Sequence, residues 1–313
     1  MESPAPTRSA PPRGLLLLAF AAVFLVWGTT FLAIRYAVET IPPLLTAGVR
    51  HAVAGTVLLA LAWLRGYRPR RSDWIAGSVI GALFFLAGHG LLHWAELHIA
   101  SGLAALLIAT EPMWILVLGA AFGRQRLSWA SGLGLLLGLA GVALLTLPEL
   151  GTVRLVDWGI LATLASSLAW SLGVVASPLL KLPAHPLGRA AVATLTGSAM
   201  LLSLAALTGE IAAFDPGAVS LRSVLGLAYL ITFGSVITFS AYSWLLQHTS
   251  PALVATHTFV NPVVAIFVGW MWAGEPLGRQ LALAAAAIVA AVVLVQRGER
   301  LGARDEEPPA STE

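Results

Sequence analysis

Apolar residues in this chain run in long, nearly uninterrupted stretches, broken by short polar segments rich in Pro, Gly and Arg. Five such stretches fill the first half, approximately Leu15 to Val38, Pro43 to Leu64, Trp74 to Trp94, Ala100 to Phe122 and Leu127 to Leu147. Five more follow, approximately Trp158 to Leu180, Leu187 to Leu207, Leu221 to Leu246, Ala252 to Trp272 and Leu277 to Gln296. A hydrocarbon core about 30 Å thick takes roughly 20 apolar residues per helix, and a helix satisfies its own backbone amides where no water is available. The pattern predicts an all-α integral membrane protein of ten transmembrane helices. Residues 1–14, polar and Pro-rich with Arg8 and Arg13, read as a cytoplasmic N-terminal segment. The apolar run after them is too long for a cleaved signal peptide and is expected to be retained as the first helix. Residues 297–313 are polar and end acidic, with Pro308 and Pro309, and are expected to form a disordered cytoplasmic tail.

The two sets of five also match in sequence. A shift of 150 (Trp94 to Trp244) also pairs His98 with His248, Leu103 with Leu253, Pro112 with Pro262, Gly119 with Gly269 and Leu127 with Leu277. Identities among Leu and Gly are common in apolar sequence, but Trp, His and Pro pairs on one register indicate a duplication. The expected organisation is a first five-helix repeat over 15–147, a linker over 148–157 and a second repeat over 158–296. An odd number of spans makes the second copy enter the bilayer upside down, the inverted repeat of many secondary transporters.

Composition agrees: 58% of the 313 residues are hydrophobic and 11% charged, against roughly 25% charged in soluble domains. The formal charge of +3 does not point to nucleic acid, because the basic residues are spread along loops. Basic residues concentrate in cytoplasmic loops of membrane proteins. With both termini inside, the cytoplasmic segments hold Arg8, Arg13, Arg65, Arg68, Arg70, Arg71, Arg124, Arg126, Lys181, Arg189, Arg297, Arg300 and Arg304, and the outer loops only Arg154, Arg222 and Arg279. Arg35 and Arg50 fall inside helices. The chain has no Cys, which excludes disulfides, thiolate metal sites and cysteine nucleophiles within it.

Three stretches carry a family resemblance. Trp27-Gly28-Thr29-Thr30-Phe31 with Arg35, Pro42-Pro43 and Arg50 opens the chain; Ser101 to Gly141 follows with Glu111-Pro112 and a Gly-rich fifth helix; Ser250 to Leu277 contains Asn261-Pro262 and Gly274-Glu275. In this order on a five-plus-five frame they resemble the EamA-type transporters of the drug/metabolite transporter superfamily. The resemblance implies a ten-helix exporter or importer of small solutes such as amino acids, working without ATP. One departure stands out: the family's Gly-Glu after helix 4 reads Gly123-Arg124-Gln125 here.

Ionisable residues at bilayer depth are costly, about 2.5 to 3.5 kcal/mol for Asp at mid-helix, and ask for a partner or a function. Glu111 in helix 4 is the candidate for proton coupling, with a structural role beside the break at Pro112 as the alternative. Its repeat partner is Asn261, before Pro262, with His257 one turn earlier on the same face. Each proline frees a carbonyl, so Pro112 and Pro262 are candidate helix breaks near the midplane. His89, His93 and Glu96 share one face of helix 3. The HxxxH spacing also suits a metal ion, but the repeat partners of the histidines are Phe239 and Ser243, so no metal is assigned and a polar cavity wall or plain packing is expected. Arg35 can snorkel to the headgroups, whereas Arg50 lies deep enough to need an acidic or carbonyl partner and is a candidate for a substrate carboxylate. Trp94 and Trp244 suit an interfacial belt; Trp27 and Trp170, with Thr30, Ser171, Thr238 and Ser243, suit a pore wall. Small residues on helix 5 (Gly134, Gly138, Gly141) and helix 10 (Ala284 to Ala287, Ala290, Ala291) suit close packing, within the bundle or across a homodimer.

Together these residues lead to the expectation of a secondary transporter of a small amphipathic solute in a bacterial inner membrane, with no cofactor. Its pathway is expected to be lined by Trp27, Thr30, Arg50, His89, His93, Glu111, Trp170, Thr238, His257 and Asn261. An intramembrane metal-dependent enzyme acting on lipid is the alternative.

Overall fold

The computed structural model describes residues 12–122, 129–146, 157–249, 254 and 257–304. Outside them lie residues 1–11, the Gly123-Arg124-Gln125 departure with Arg126, most of the 148–157 linker with Arg154, and the tail from 305. The described residues contain no strand. They form ten helical rods: α1 Arg13–Ala37, α2 Pro43–Leu64, α3 Arg71–Ala95, α4 Ser101–Ala121, α5 Trp129–Thr146 and α6 Trp158–Leu179 in the first six places. After them come α7 Pro186–Leu207, α8 from Leu221 to His248, α9 His257–Ala273 and α10 Arg279–Arg304. Seven of them, α1 to α4 and α6 to α8, are long and apolar enough to cross a membrane, and α9 and α10 carry the shorter apolar stretches Val260–Ala273 and Leu281–Ala291. Helix α10 runs past the Gln296 end expected from hydropathy and stays helical to Arg304. Hydropathy marks where lipid contact ends; Glu299, Arg300, Leu301 and Ala303 are good helix formers that carry the backbone ladder on.

Large apolar side chains cover the outside of the bundle, among them Leu17, Leu64, Leu136 and Leu207, as a lipid-facing surface requires. Exposed tryptophans sit at helix ends, Trp63 and Trp94 closing α2 and α3, Trp129 and Trp158 opening α5 and α6, and Trp272 closing α9, the placement of an interfacial aromatic belt.

Helix lengths refine the internal register. α2 and α7 are both 22 residues and both begin at proline, Pro43 and Pro186, which is a shift of 143. Proline suits this first position because the amide it lacks would go unbonded there. From α3 onward the shift is 150, taking Arg71 to Leu221 and Trp129 to Arg279. The difference of seven is extra chain between Leu207 and Leu221, where Glu210–Ala213 and Pro216–Ala218 form single turns.

Packing follows the same correspondence. α2 packs on α7 and α5 on α10; α1 contacts α8 and α9 as α6 contacts α3 and α4. Glycines set the close approaches. A Cβ on Gly48 would lie 2.6 Å from Leu202 and one on Gly55 2.8 Å from Leu195, so α2 and α7 nearly touch backbones. Gly138 and Gly141 face Ala291 and Ile288 in the same way, so these small residues of helices 5 and 10 are used within the chain. Two equivalent crossings exchange bulk. Thr30 of α1 lies over Gly234 of α8, while Gly173 of α6, at the register of Thr30, lies under Phe84 of α3.

Two helices depart from α-geometry at matching places. Ala82–His89 in α3 and Leu230–Ile237 in α8 are π-helical, as is Ala22–Val26 in α1. A π turn widens the helix and frees carbonyls, and such turns are frequent at functional sites. α4 is interrupted at Ala109–Thr110, directly before Glu111-Pro112, whereas α9 runs through Pro262 without interruption.

Candidate functional site

The interruption in α4 places Glu111 in the first turn of a new half-helix, Glu111–Ala121. The amide end of a helix favours negative charge. The break is bonded to α6: Ser171 donates to the Glu111 carbonyl at 3.2 Å, and the Thr110 hydroxyl, donating to the Leu107 carbonyl, also meets the Ser167 hydroxyl at 3.1 Å. The Glu111 side chain is half-buried and close enough to Tyr242 of α8 for the two to interact electrostatically.

Aromatic rings gather in two groups within the bundle. Around Trp27 of α1 stand Phe239 and Tyr242 of α8, with ring centroids 5.6 and 5.2 Å away, and His257 of α9 edge-on at 5.1 Å. The indole N–H donates to the Gly234 carbonyl at 3.1 Å, within the π-helical stretch of α8. Around Trp170 of α6 stand Phe84, stacked at 4.2 Å, and His89, stacked at 5.3 Å. Phe85 joins the groups, 6.4 Å from Trp170 and 6.5 Å from Phe239. By the two registers Trp27 corresponds to Trp170 and Phe239 to His89, so one contact is built twice, once with an imidazole.

The residues singled out in the sequence divide by exposure. Trp27, His89, Glu111, Trp170 and His257 are half-buried. Thr30, Arg50, His93, Thr238 and Asn261 are buried and engaged in packing. Thr30 donates to the Trp27 carbonyl and Thr238 to the Phe233 carbonyl, each serving a local backbone group. His93 Nδ1 lies 2.7 Å from the His89 carbonyl, so the two HxxxH rings do not converge on one point, and no group of metal-ligating side chains forms among the described residues. Asn261, with its amide oriented to donate, serves the His257 and Phe24 carbonyls at 3.2 and 3.0 Å. One of these bonds is within α9 and the other ties α9 to α1. Pro112 is half-buried and Pro262 buried.

Both helix-borne arginines differ from expectation. Among the described residues the hydrogen-bond partner of Arg50 is a hydroxyl, its Nε donating to Ser235 Oγ at 2.9 Å, and Glu96 is the opposite charge near it. The π turn of α8 brings Ser235 within reach, and the local sequence of α2 does not show it. Arg35 is held by protein: it donates to the Ile99 carbonyl at 3.0 Å and lies 3.7 Å from Glu275. Glu275 in turn accepts from Ser101 N, Ser101 Oγ and Gly102 N at 2.8, 2.8 and 3.0 Å, capping α4 from across the bundle. Gly274, in the left-handed conformation at φ +64°, makes the turn that aims it. This end of the bundle carries further ties between the two sets of helices, Arg222 to Glu39, Ser223 to the Tyr36 carbonyl and Glu210 to the Leu45 amide. At the opposite end a cleft of about 520 Å³ opens between α1 and α8 on one wall and α2 and α7 on the other, lined by Leu15, Leu61, Arg65, His185, Ile237 and Trp244 among others. Glu111 is not in its lining.

His51, Tyr242, Ser235 and Glu275 are the site residues that the sequence reading did not assign. His51 follows Arg50 directly and Tyr242 lies one turn past Thr238, but only helix rotation shows which way each faces.

The model of the EamA-like transporter family matches this chain twice, over residues 13–147 and 157–297. The chain belongs to that family. The "Uncharacterized inner membrane transporter YedA" of Escherichia coli K12 is 36% identical over 287 residues, covering 90% of this chain and 91% of its own. A "Probable terminal-alkyne amino-acid exporter" of Streptantibioticus cattleyicolor is 30% identical over 292 residues, 92% of this chain and 95% of its own. A solved chain titled only "Crystal structure of protein" superposes with a TM-score of 0.62 at 24% identity, covering 95% of this chain and all of that one, which establishes the shared fold. This EamA-like chain is thus a multi-pass membrane transporter by family.

Proposed function

We propose that the protein is a secondary transporter, built as two inverted five-helix repeats over 15–147 and 158–296, that moves a small amphipathic solute by alternating access. The observation that carries this reading is the half-buried Glu111 at the head of a broken helix in the first set of helices, within electrostatic reach of Tyr242 in the second. Interrupted helices with ion- or substrate-binding termini are the usual construction of carrier sites. The paired contacts of α2 with α7 and α5 with α10, the matched π turns and the double family match support the repeat.

The solute class we infer is one with an apolar body and a polar end, such as an amino acid or a relative, moved outward. The rings of Trp27, Trp170, Phe239 and Tyr242 offer apolar surface, and Glu111, His89 and His257 offer polar contacts. The exporter named in Streptantibioticus cattleyicolor supports this class. We infer ten spans from the apolar stretches and both termini in the cytoplasm from the distribution of Arg; the inner membrane transporter of Escherichia coli supports a bacterial inner-membrane location. In that orientation the ties around Arg35 and Glu275 close the outer end and the Arg65 cleft opens inward. Glu111 is our proton-coupling candidate.

The test is flux of labelled amino acids and amphipathic metabolites in proteoliposomes, with and without a pH gradient, for wild type and Glu111→Gln. Gradient-dependent flux that loses its pH dependence in Glu111→Gln is the expected result. Flux indifferent to both would make the protein a facilitator and Glu111 structural; no flux for any solute would overturn the reading.

A further inference from the structure

Between α2 and α3 two imidazoles meet directly. His51 Nε2 and His89 Nδ1 lie 2.6 Å apart and the rings stack with centroids 4.7 Å apart. Nitrogens at that distance hold one proton between them, one ring donating and the other accepting. The rings differ in access: His51 is fully buried, with Phe85 against it at 4.6 Å, whereas His89 is half-buried beneath Trp170. His51 Nδ1 is buried without a hydrogen-bond partner. An unpaired buried polar atom costs about 1–3 kcal/mol, and such atoms ask for an explanation in function. The charged and titratable groups facing the pair are Arg50 from α2 and His93 from α3. From α8 comes the Ser235 hydroxyl, bound to Arg50, and Glu96 at the end of α3 offsets the arginine charge. From α6 the facing group is the indole of Trp170.

We propose that His51 and His89 form a shared-proton pair, a proton-binding site inside the bundle that is loaded through His89, the more accessible ring, from the side of Trp170. With His89 Nδ1–H donating to His51 Nε2, the free nitrogen of His89 is Nε2. A proton taken up there makes His89 an imidazolium. Transfer of the Nδ1 proton across the contact breaks that N–H bond and forms one at His51 Nε2, moving the charge inward and leaving His89 neutral with its proton on Nε2. A second proton would set N–H against N–H, so the closed pair holds one excess proton at a time. Loading therefore changes the charge beside Arg50, where α2, α3 and α8 meet. Only the consequence, that loading is linked to solute movement, rests on the transporter reading; proton binding does not.

The test is histidine-selective ¹⁵N NMR of the full-length protein in nanodiscs, without solute, titrated downward from about pH 8 through the ordinary imidazole range and below it. The chain has seven histidines, few enough to assign by substitution. The expected result is nitrogen–nitrogen coupling across the hydrogen bond between two imidazoles, together with uptake of one proton by the pair. Both features are expected to vanish in His51→Gln and in His89→Gln and to persist in His248→Gln, whose ring is away from the pair. Trp170→Phe, which keeps both histidines, is expected to keep the coupling and shift the titration, and it serves if the histidine variants fail to fold. Absence of the coupling in both wild type and Trp170→Phe overturns the proposal, as does an unchanged titration in folded His51→Gln. A protein that moves no solute but shows the coupled step retains the site; one that transports without that step lacks it.

Discussion

Removing the Glu275 carboxyl should destabilise this protein far more than removing the arginine it pairs with. Glu275 is 8% exposed and accepts three hydrogen bonds from the first turn of α4, two of them from backbone amides that have no other acceptor at a helix start. At about 1 kcal/mol net for each lost bond, with an added penalty for two stranded amides, Glu275→Ala should cost about 3–5 kcal/mol. Glu275→Gln keeps one carbonyl oxygen and turns an NH₂ toward a donor, so about 1.5–3 kcal/mol is expected. Arg35 is 37% exposed and its closest approach to the carboxylate is 3.7 Å. Solvent screens a pair of that kind, and Arg35→Ala should lose only about 1 kcal/mol through the pair. The assay is equilibrium unfolding by denaturant in mixed micelles, comparing midpoints at constant slope, with a Ser101→Ala/Glu275→Ala cycle to isolate the hydroxyl bond at about 1 kcal/mol. If Arg35→Ala proves as damaging as Glu275→Ala, the residue works as half of an ion pair and the capping argument is wrong.

Two other outcomes follow from local geometry. Gly81→Ala should destabilise the α3–α7 contact by about 1–3 kcal/mol, because its Cβ would lie 2.7 Å from the Ala193 carbonyl and from Gly197 N, backbone atoms that cannot rotate away; an unchanged unfolding midpoint would refute the close approach. Glu210, in the α7–α8 connection, has its carboxyl pushed above the ordinary 4.5 by burial, against the opposing hydrogen bonds from the Leu45 and Leu44 amides. The folded chain then holds that proton to higher pH than the unfolded chain, so stability falls as pH rises from 4.5 through the raised value and levels off above it. Melting curves from pH 4 upward should show this step in wild type and not in Glu210→Gln; a slope of opposite sign would reverse the assignment.

The expected and observed architectures agree where the controlling property is local. Most spans expected from hydropathy begin and end within a few residues of the observed helices, since burying 20 apolar residues in lipid depends on the segment alone. The halt in α4 was visible as Glu111-Pro112. The equivalent proline in α9 produces no such halt, and the helix runs on from His257 to Ala273. A single shift of 150 was also too simple. Seven extra residues before α8 displace the first two helices to 143, and apolar helices without capping motifs give that register little signal.

What the sequence determined by itself is the class of molecule: long apolar runs demand a membrane, while the basic loops and the repeated Trp, His and Pro positions supply an expected orientation and an expected division in two. Which polar side chains are buried and what they bond was decided only by tertiary structure. Thr30 and Thr238, attractive as pathway hydroxyls, are turned to local carbonyls, while His51 lies against His89 from a helix 38 positions away. Glu275 finds its amides across 174 positions. The rotation of each helix about its axis fixes these meetings, and that rotation is set by glycine-lined contacts with neighbours distant in the chain.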